Sequence, residues 1–221
     1  MDTHRIASID LGLDRLMTVA NNCGLQCFAI NGKPLKSINR YYNLKASEMK
    51  SKLMKEEKKH SSKRLVGLTG KRGRKVSDYI HKTTTYVVRW CHENNIDTIV
   101  CGHNTGWKQN ANMGRQNNQD FVSIPHTTLI NQLKYKCEDY GIKFIETEES
   151  YTSGTSFLDN EDPKKENYNK SRRKTRGLFV SNGAIEINAD VNGAYQICKK
   201  VFDHPYDNSI DYSRHPVIVN I

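Results

Sequence analysis

Three short apolar runs stand close together at the start of the chain. Ile6, Ala7, Ile9 and Leu11 mix with polar positions, residues 16–20 and 25–30 follow, and Gly12, Asn21, Asn22 and Gly24 supply turns between them. This spacing predicts a three-stranded antiparallel meander. The period then lengthens. Ala46, Met49 and Leu53 recur at helical spacing within 44–59, and Val76, Tyr79, Ile80, Thr83, Val87, Trp90 and Cys91 form a stronger amphipathic stripe. Between them, Gly67 to Gly73 reads as a basic turn. Residues 97–101 are an Ile/Val run directly after a helix, the mark of a parallel strand reached by a crossover. Pro125 opens another helix with Leu129, Ile130, Leu133, Cys137 and Tyr140 inward and Gly141 closing it. Residues 142–147 are the next strand. A polar stretch over 150–182 leads into a last helix at 189–202, with Val191, Ala194, Tyr195, Cys198 and Phe202 on one face.

The order is strand, strand, strand, helix or helix pair, strand, helix, strand, insertion, helix. That is an RNase H-like (RuvC) arrangement of the α/β class, in which a meander supplies the first strands and helices alternate with later ones over a mixed sheet. The expectation is a single domain over 1–221, holding a basic helical hairpin insertion at 40–75 and a polar loop insertion at 150–187.

Composition narrows the function classes. At 221 residues the chain has room for one good core. Hydrophobic residues make up 36% and mean hydropathy is -0.74, and no stretch approaches the roughly 18 apolar residues of a membrane span. No apolar leader precedes the first strand, so a cytoplasmic protein with no membrane partner is expected. The six cysteines are scattered without a C-x-x-C, which fits reduced core thiols. Net charge is +10, and residues 40–75 alone hold 13 Lys/Arg against 3 acids. A second cluster, 164–176, has seven Lys/Arg and one Glu. Such concentration suits a polyanionic partner, since each neutralised phosphate releases counterions; a solvated hairpin and a disordered loop are the alternatives.

Inside this basic chain a few acids stand at element ends. Phosphodiester hydrolysis with two metal ions needs carboxylates converging from different elements, because Mg²⁺ is a hard octahedral cation that takes oxygen ligands. Asp10 sits among apolar neighbours in the first strand, where a charge is costly unless paired or metal-bound; the alternative is a strand-end turn acid. Asp190 falls in the first turn of the last helix, where it serves equally as a ligand or as a complement to the helix dipole. Glu146, Glu148 and Glu149 close the strand from Ile142. Alternation places Glu149 on the face of Ile145 and makes it the better candidate for a buried site, the alternative being a solvated strand end.

At these residues the chain resembles the TnpB (OrfB) family of transposon-encoded, RNA-guided DNA nucleases, relatives of the type V CRISPR effectors and of the Fanzor proteins. The resemblance is carried by Ser8-Ile-Asp-Leu-Gly12, Lys75-Val-Ser-Asp-Tyr-Ile-His-Lys82 and Gly102-His-Asn-Thr-Gly-Trp-Lys-Gln109. It continues through Ser123-Ile-Pro-His126, Glu148-Glu-Ser-Tyr-Thr-Ser153, Ser156-Phe-Leu-Asp159 and Asn188-Ala-Asp-Val-Asn-Gly-Ala-Tyr195. In that family Asp10 matches the first catalytic aspartate and Asp190 the last. The usual glutamate after the central strand is missing, since Val100-Cys-Gly102 stands there; as in the rearranged members, a glutamate before the Thr-Ser pair replaces it. Glu149 fits, with Glu148 in reserve.

The resemblance implies a divalent-metal-dependent DNA endonuclease in which Asp10, Glu149 and Asp190, with Glu148 as a further candidate ligand, hold two Mg²⁺ or Mn²⁺ ions. Serine and aspartate at 156 and 159 replace the first C-x-x-C of the family's zinc ribbon, so 150–187 is expected to be a degenerate zinc-ribbon-like insertion without structural zinc. Trp107, Lys108, Lys71, Arg72, Arg74, Lys75, Arg172, Arg173 and Lys174 are the expected contacts to nucleic acid. The implied partners are DNA, as a single strand or R-loop target, and guide RNA. The family's targeting half is expected to be absent from this chain and to come separately if the nuclease is split. A prokaryotic host would place the protein at the nucleoid, a eukaryotic one in the nucleus or a virus. The alternatives are a non-cleaving nucleic-acid-binding remnant or accessory subunit, and a structure-selective resolvase or RNase H-like hydrolase.

Overall fold

The computed structural model of the chain describes residues 4–103 and 124–221. Trp107 and Lys108 lie outside the described residues. In chain order the elements are β1 (Ile6–Leu11), β2 (Arg15–Asn21), β3 (Phe28–Asn31), α1 (Lys33–Lys52), α2 (Lys63–Glu93), β4 (Thr98–Gly102), α3 (His126–Asp139) and β5 (Lys143–Thr147). Then come β6 (Arg173–Thr175), β7 (Leu178–Val180), β8 (Glu186–Asn188), α4 (Ala189–Lys199) and β9 (Val217–Val219).

Alternation in β1 decides how the sheet is sandwiched. Ala7, Ile9 and Leu11 point into the main core, with Ile99 and Cys101 of β4, Ile80 and Val87 of α2 and Leu129 and Leu133 of α3. Ile6 points the other way, with Val100 of β4, against Ile197 and Cys198 of α4. Ser8 and Asp10 share the parity of Ile6, so the second face of β1 carries its polar residues under α4. Each fully buried Ile or Leu contributes about 1.5–3 kcal/mol, and both faces are covered.

The six-stranded sheet runs β5-β4-β1-β2-β3-β9. The predicted meander is present, β1 and β2 antiparallel with Asp10 opposite Thr18, and β2 and β3 likewise. β4 lies parallel to β1 and β5 parallel to β4, so the carboxyl ends of three neighbouring strands open on one side of the sheet. β9, parallel to β3, was not foreseen. The six cysteines are all free thiols, five of them buried. Among the described residues no helix is long and apolar enough to cross a membrane.

Two corrections to the predicted elements matter. Gly67 to Gly73 is not a turn: α2 is one helix of 31 residues running through it. Gly67, Gly70 and Gly73 stand on its exposed side, while Leu65, Val76, Tyr79 and Ile80 are buried, so packing outweighs a helix-propensity cost of about 1 kcal/mol per glycine. The real turn lies earlier, in a π-helical stretch at Leu53–Glu57 ended by Lys58 with φ 51°, before Ser62 caps α2 by accepting from Leu65 N–H at 3.2 Å. The first helix likewise starts at Lys33, well before residue 44, and the last ends at Lys199. The polar stretch also holds structure: β6, β7 and β8 form a separate three-stranded sheet, whose Phe179 and Ile187 pack with Tyr195 and Ala194 of α4.

Candidate active site

Asp10 lies in β1 just before the turn at Gly12, on the face that α4 covers. What allows a carboxylate there is a missing side chain: a Cβ on Gly193 would stand 2.9 Å from Asp10 Oδ2. Directly across the β1–β2 ladder, the buried Thr18 hydroxyl has no hydrogen-bond partner among the described residues.

Asp190 reaches the same place from α4. Asn188 caps that helix, its Oδ1 accepting from the N–H groups of Asp190 at 3.1 Å and Val191 at 3.3 Å, while its Nδ2 donates to the Gly177 carbonyl at 3.0 Å. The cap fixes Asp190 in the first helical turn. Arg15 Nη1 donates to Asp190 Oδ2 at 2.8 Å, and Arg173 Nη2 approaches Oδ1 at 3.5 Å.

Glu149 follows the end of β5 in a turn that Thr152 closes, its Oγ1 donating to the Glu149 carbonyl at 2.8 Å. The turn is tied to α4 by the buried Asn192, which donates to the Thr155 carbonyl at 2.8 Å and accepts from Phe157 N–H at 2.9 Å. Glu149 Oε2 lies 3.1 Å from where a Cβ on Gly102 would be, so its carboxylate borders the space left by the glycine that ends β4. The same Cβ would meet Ile197 Cδ1 at 2.5 Å.

The acids gather. Desolvation first, then the charges of Glu149 and Asp190, hold the Asp10 carboxyl well above the usual aspartate range, against a smaller opposing effect of Arg173. The buried Cys101 thiol is also pushed up, by desolvation and then by Glu146, Glu149 and Asp10, and so senses the same negative field. Glu148 goes elsewhere. It is exposed and hydrogen-bonded to Lys200, which together with Ser150 lowers its carboxyl to about 2.

An oxygen-only donor set with crowded like charges, a glycine cradle around one carboxylate and an orphaned hydroxyl beside it fits a hard divalent cation. Among the described residues no three His, Cys, Asp or Glu side chains already stand as a ready-made ligand group. The local reason is visible at Asp190, whose two oxygens face Arg15 and Arg173. The guanidinium groups supply the counter-charge there.

The basic candidates divide. Lys71, Arg74 and Lys75 are exposed on α2, and Arg72 is half-buried beside them. Lys174 is exposed on β6. Arg172 is instead drawn inward into an ion pair with Glu161, both side chains at or below 16% exposure, which removes it from the solvent face that its neighbours suggested. Arg173 turns to Asp190 and the Arg176 carbonyl. Sequence reasoning missed Arg15, Gly102 and Gly193. Only Gly193 left a signal, lying three residues after Asp190 and therefore on its helix face.

Comparison with known proteins follows this geometry. The family described as OrfB_IS605, a probable transposase, matches residues 2–108, and the one described as Cas12f1-like, TNB domain, matches residues 126–197. The TnpB-like protein ORF457 of Acidianus two-tailed virus is 22% identical over 214 residues, covering 89% of this chain and 42% of that protein. Among solved structures, the fold matches a chain of a cryo-EM Cas12f1-sgRNA-target DNA complex with TM-score 0.66 at 20% identity, over 89% of this chain and 50% of that one. A chain of a cryo-EM CRISPR-Cas12f ternary complex matches with TM-score 0.68 at 18% identity, over 95% and 40%. The present chain thus spans half or less of the length of each of these relatives.

Proposed function

We propose, from the matches to the OrfB_IS605 and Cas12f1-like TNB models and the likeness to a TnpB-like protein and to Cas12f chains, that this chain is a TnpB-family protein related to the type V effectors and a divalent-metal-dependent DNA endonuclease domain. What supports the reading is that Asp10 of β1 and Glu149 of the turn after β5 border the spaces left by Gly193 and Gly102, and that burial, then the charges of Glu149 and of Asp190 at the start of α4, raise the Asp10 carboxyl.

Two Mg²⁺ or Mn²⁺ ions, held by these three carboxylates, would supply an activated water and stabilisation of the leaving 3′ oxygen. The chain's own residues do the rest. Asp10 and Glu149 concentrate negative charge at the carboxyl ends of β1, β4 and β5; Asn188 and Asn192 hold Asp190 and the Glu149 turn in register. Arg15 and Arg173 supply the positive charge beside Asp190, and a bound divalent cation would compete with them for its carboxylate. No nucleophilic side chain is required, and none is invoked. The basic face of α2 and Lys174 hold the phosphate backbone, with target DNA and guide RNA as the partners that the relatives suggest. The degenerate zinc-ribbon-like reading of 150–187 stands with this proposal.

The test is cleavage of single-stranded, duplex and R-loop DNA with Mg²⁺ or Mn²⁺ by wild type and by Asp10→Ala. Loss of divalent-dependent cutting in the variant alone supports the reading; identical behaviour of the two overturns it. One observation favours a second reading, a non-cleaving binding module: the occupation of Asp190 by two arginines. In that case Mn²⁺ leaves the thermal stability of wild type unchanged.

A further inference from the structure

A second site lies on the helical hairpin, in the groove between α1 and α2. It has a volume of about 330 Å³ and is lined by Tyr41, Tyr42, Lys71, Arg72 and Lys75 together with Ser37 and apolar neighbours, with no carboxylate among them. Three features set it apart from a merely solvated basic face.

First, its guanidinium is fixed in place. The buried Asn39 accepts from Arg72 Nε at 2.8 Å, and Arg72 lies over the Tyr42 ring with its Cζ 5.8 Å from the centroid. An arginine that needed only to be dissolved would have no use for a buried amide orienting it. Second, Tyr41 exposes 61% of its surface at the rim, a large ring at a position where a solvated face would be served by any polar residue. Third, the surrounding segment, 40–75, carries the 13-to-3 excess of cationic over acidic residues, so an anionic occupant is drawn to this hairpin first.

We propose that this groove binds an unpaired nucleotide of single-stranded DNA, its base against the tyrosine rings and its flanking phosphates on Lys71, Arg72 and Lys75. Charge alone attracts any nucleic acid equally along its backbone, whereas a ring at the rim rewards only a base that has left its partner. The volume, about 330 Å³, is on the scale of a single small ligand such as one nucleotide. The choice of DNA over RNA follows from the DNA substrate proposed above, since the hydroxyls of Ser37, Tyr41 and Tyr42 could meet either sugar. The proposal rests on the reading that the substrate is a nucleic acid, and it is independent of cutting.

The experiment is therefore run with the full chain in EDTA, where cleavage plays no part. Fluorescence anisotropy is measured with labelled single-stranded DNA, duplex DNA and RNA of one sequence. Single-stranded DNA is expected to bind tightest. Tyr41→Ala, at an exposed position that leaves the core intact, is expected to weaken it roughly tenfold while leaving duplex binding unchanged, and Tyr41→Phe to restore it. The double variant Lys71→Gln/Lys75→Gln is expected to lower the salt dependence of single-strand binding by about 1.4 in log–log slope. Equal affinity of wild type and Tyr41→Ala for single-stranded DNA would overturn the stacking site, and equal or tighter tyrosine-dependent binding of RNA would overturn the choice of DNA. Neither result bears on the Asp10→Ala cleavage test, so the two failures remain distinguishable.

Discussion

Gly193→Ala separates the fold of this protein from its proposed chemistry more sharply than removing a carboxylate does. Gly193 is buried inside α4, where replacing glycine with alanine stabilises a helix by about 1 kcal/mol, worth roughly 2–4 °C in a chain of this size. The new Cβ would stand 2.9 Å from Asp10 Oδ2 and 3.5 Å from its Cγ, whereas ordinary contact begins at 3.4 Å. The carboxylate oxygen must therefore yield by about 0.5 Å, the difference of the two distances. It is the end of a short side chain, so it can turn; the helix and the sheet are fixed by the packing of Val191, Ala194 and Tyr195. Mg²⁺ holds its oxygens at about 2.0–2.1 Å in near-ideal octahedral geometry, and a catalytic site tolerates displacements of about 0.5 Å at most. Divalent-dependent cleavage should fall roughly 10- to 100-fold, and the rise in Tm that Mn²⁺ gives the wild type should shrink or vanish. The Tm in EDTA should stay level or rise. Thermal melts with and without Mn²⁺, run beside a cleavage assay, check all three. A variant that keeps the full Mn²⁺ response would show that the Asp10 oxygen facing Gly193 is not a ligand, and the metal site drawn above would be wrong.

Further outcomes follow from the same contacts. Asp10→Asn should stabilise the metal-free protein near neutral pH. The folded-state carboxyl lies above its unfolded value, so the folded chain holds the proton longer, and wild-type stability falls as pH rises through the folded value. The advantage of the variant should therefore narrow as pH is lowered towards 4 in melts run in EDTA; a variant less stable at every pH would contradict the crowding of charges. Arg15→Met should raise Mn²⁺ affinity about two- to fivefold, because a partly buried ion pair of roughly 0.5–1 kcal/mol no longer competes for Asp190; a titration followed by Tm reads the shift. Asn192→Ala should cost about 2–4 kcal/mol in urea unfolding, since it leaves the Thr155 carbonyl and the Phe157 N–H without their partner. Gly67→Ala and Gly73→Ala should each stabilise by about 0.5–1 kcal/mol, as nothing lies within 4 Å of either new Cβ; destabilisation would restore the turn that the sequence suggested.

The parts of the fold legible in the sequence are those where one periodicity acts alone. The β1–β3 meander, β4, β5 and the apolar stripe of α2 from Val76 to Cys91 are of this kind. The amino-terminal half of α2 was hidden because three glycines at every third position mimic a turn locally, while the packing that overrides them is tertiary. β9 was hidden because Val217–Val219 is too short to announce itself and gains its meaning from pairing with β3. Among the acids, Asp10 stood out as an expensive charge among apolar residues. Glu149 could be preferred over Glu148 by alternation, and Glu148 is hydrogen-bonded to Lys200. Arg15 could not be found, because an arginine at the start of a strand is ordinary until the register puts it 2.8 Å from a residue 175 positions away.

That long reach explains why these acids meet at all. β1 is central, with β4 and β5 parallel on one side and β2 antiparallel on the other, so the carboxyl ends of β1, β4 and β5 lie together although residues 10, 102 and 147 are far apart in the chain. α4 packs across the same face and must approach closely to cover Ile6 and Val100. Close approach is allowed only where side chains are missing, and among the described residues Gly102 and Gly193 are places where an added Cβ would meet a carboxylate of the site, Glu149 or Asp10. The glycines thus set the helix-to-sheet distance and leave the gap into which Asp10 and Glu149 reach. Packing and chemistry share the same vacancies, so filling either one is expected to damage the site before it damages the fold at Gly193, and both together at Gly102, where Ile197 has nowhere to go.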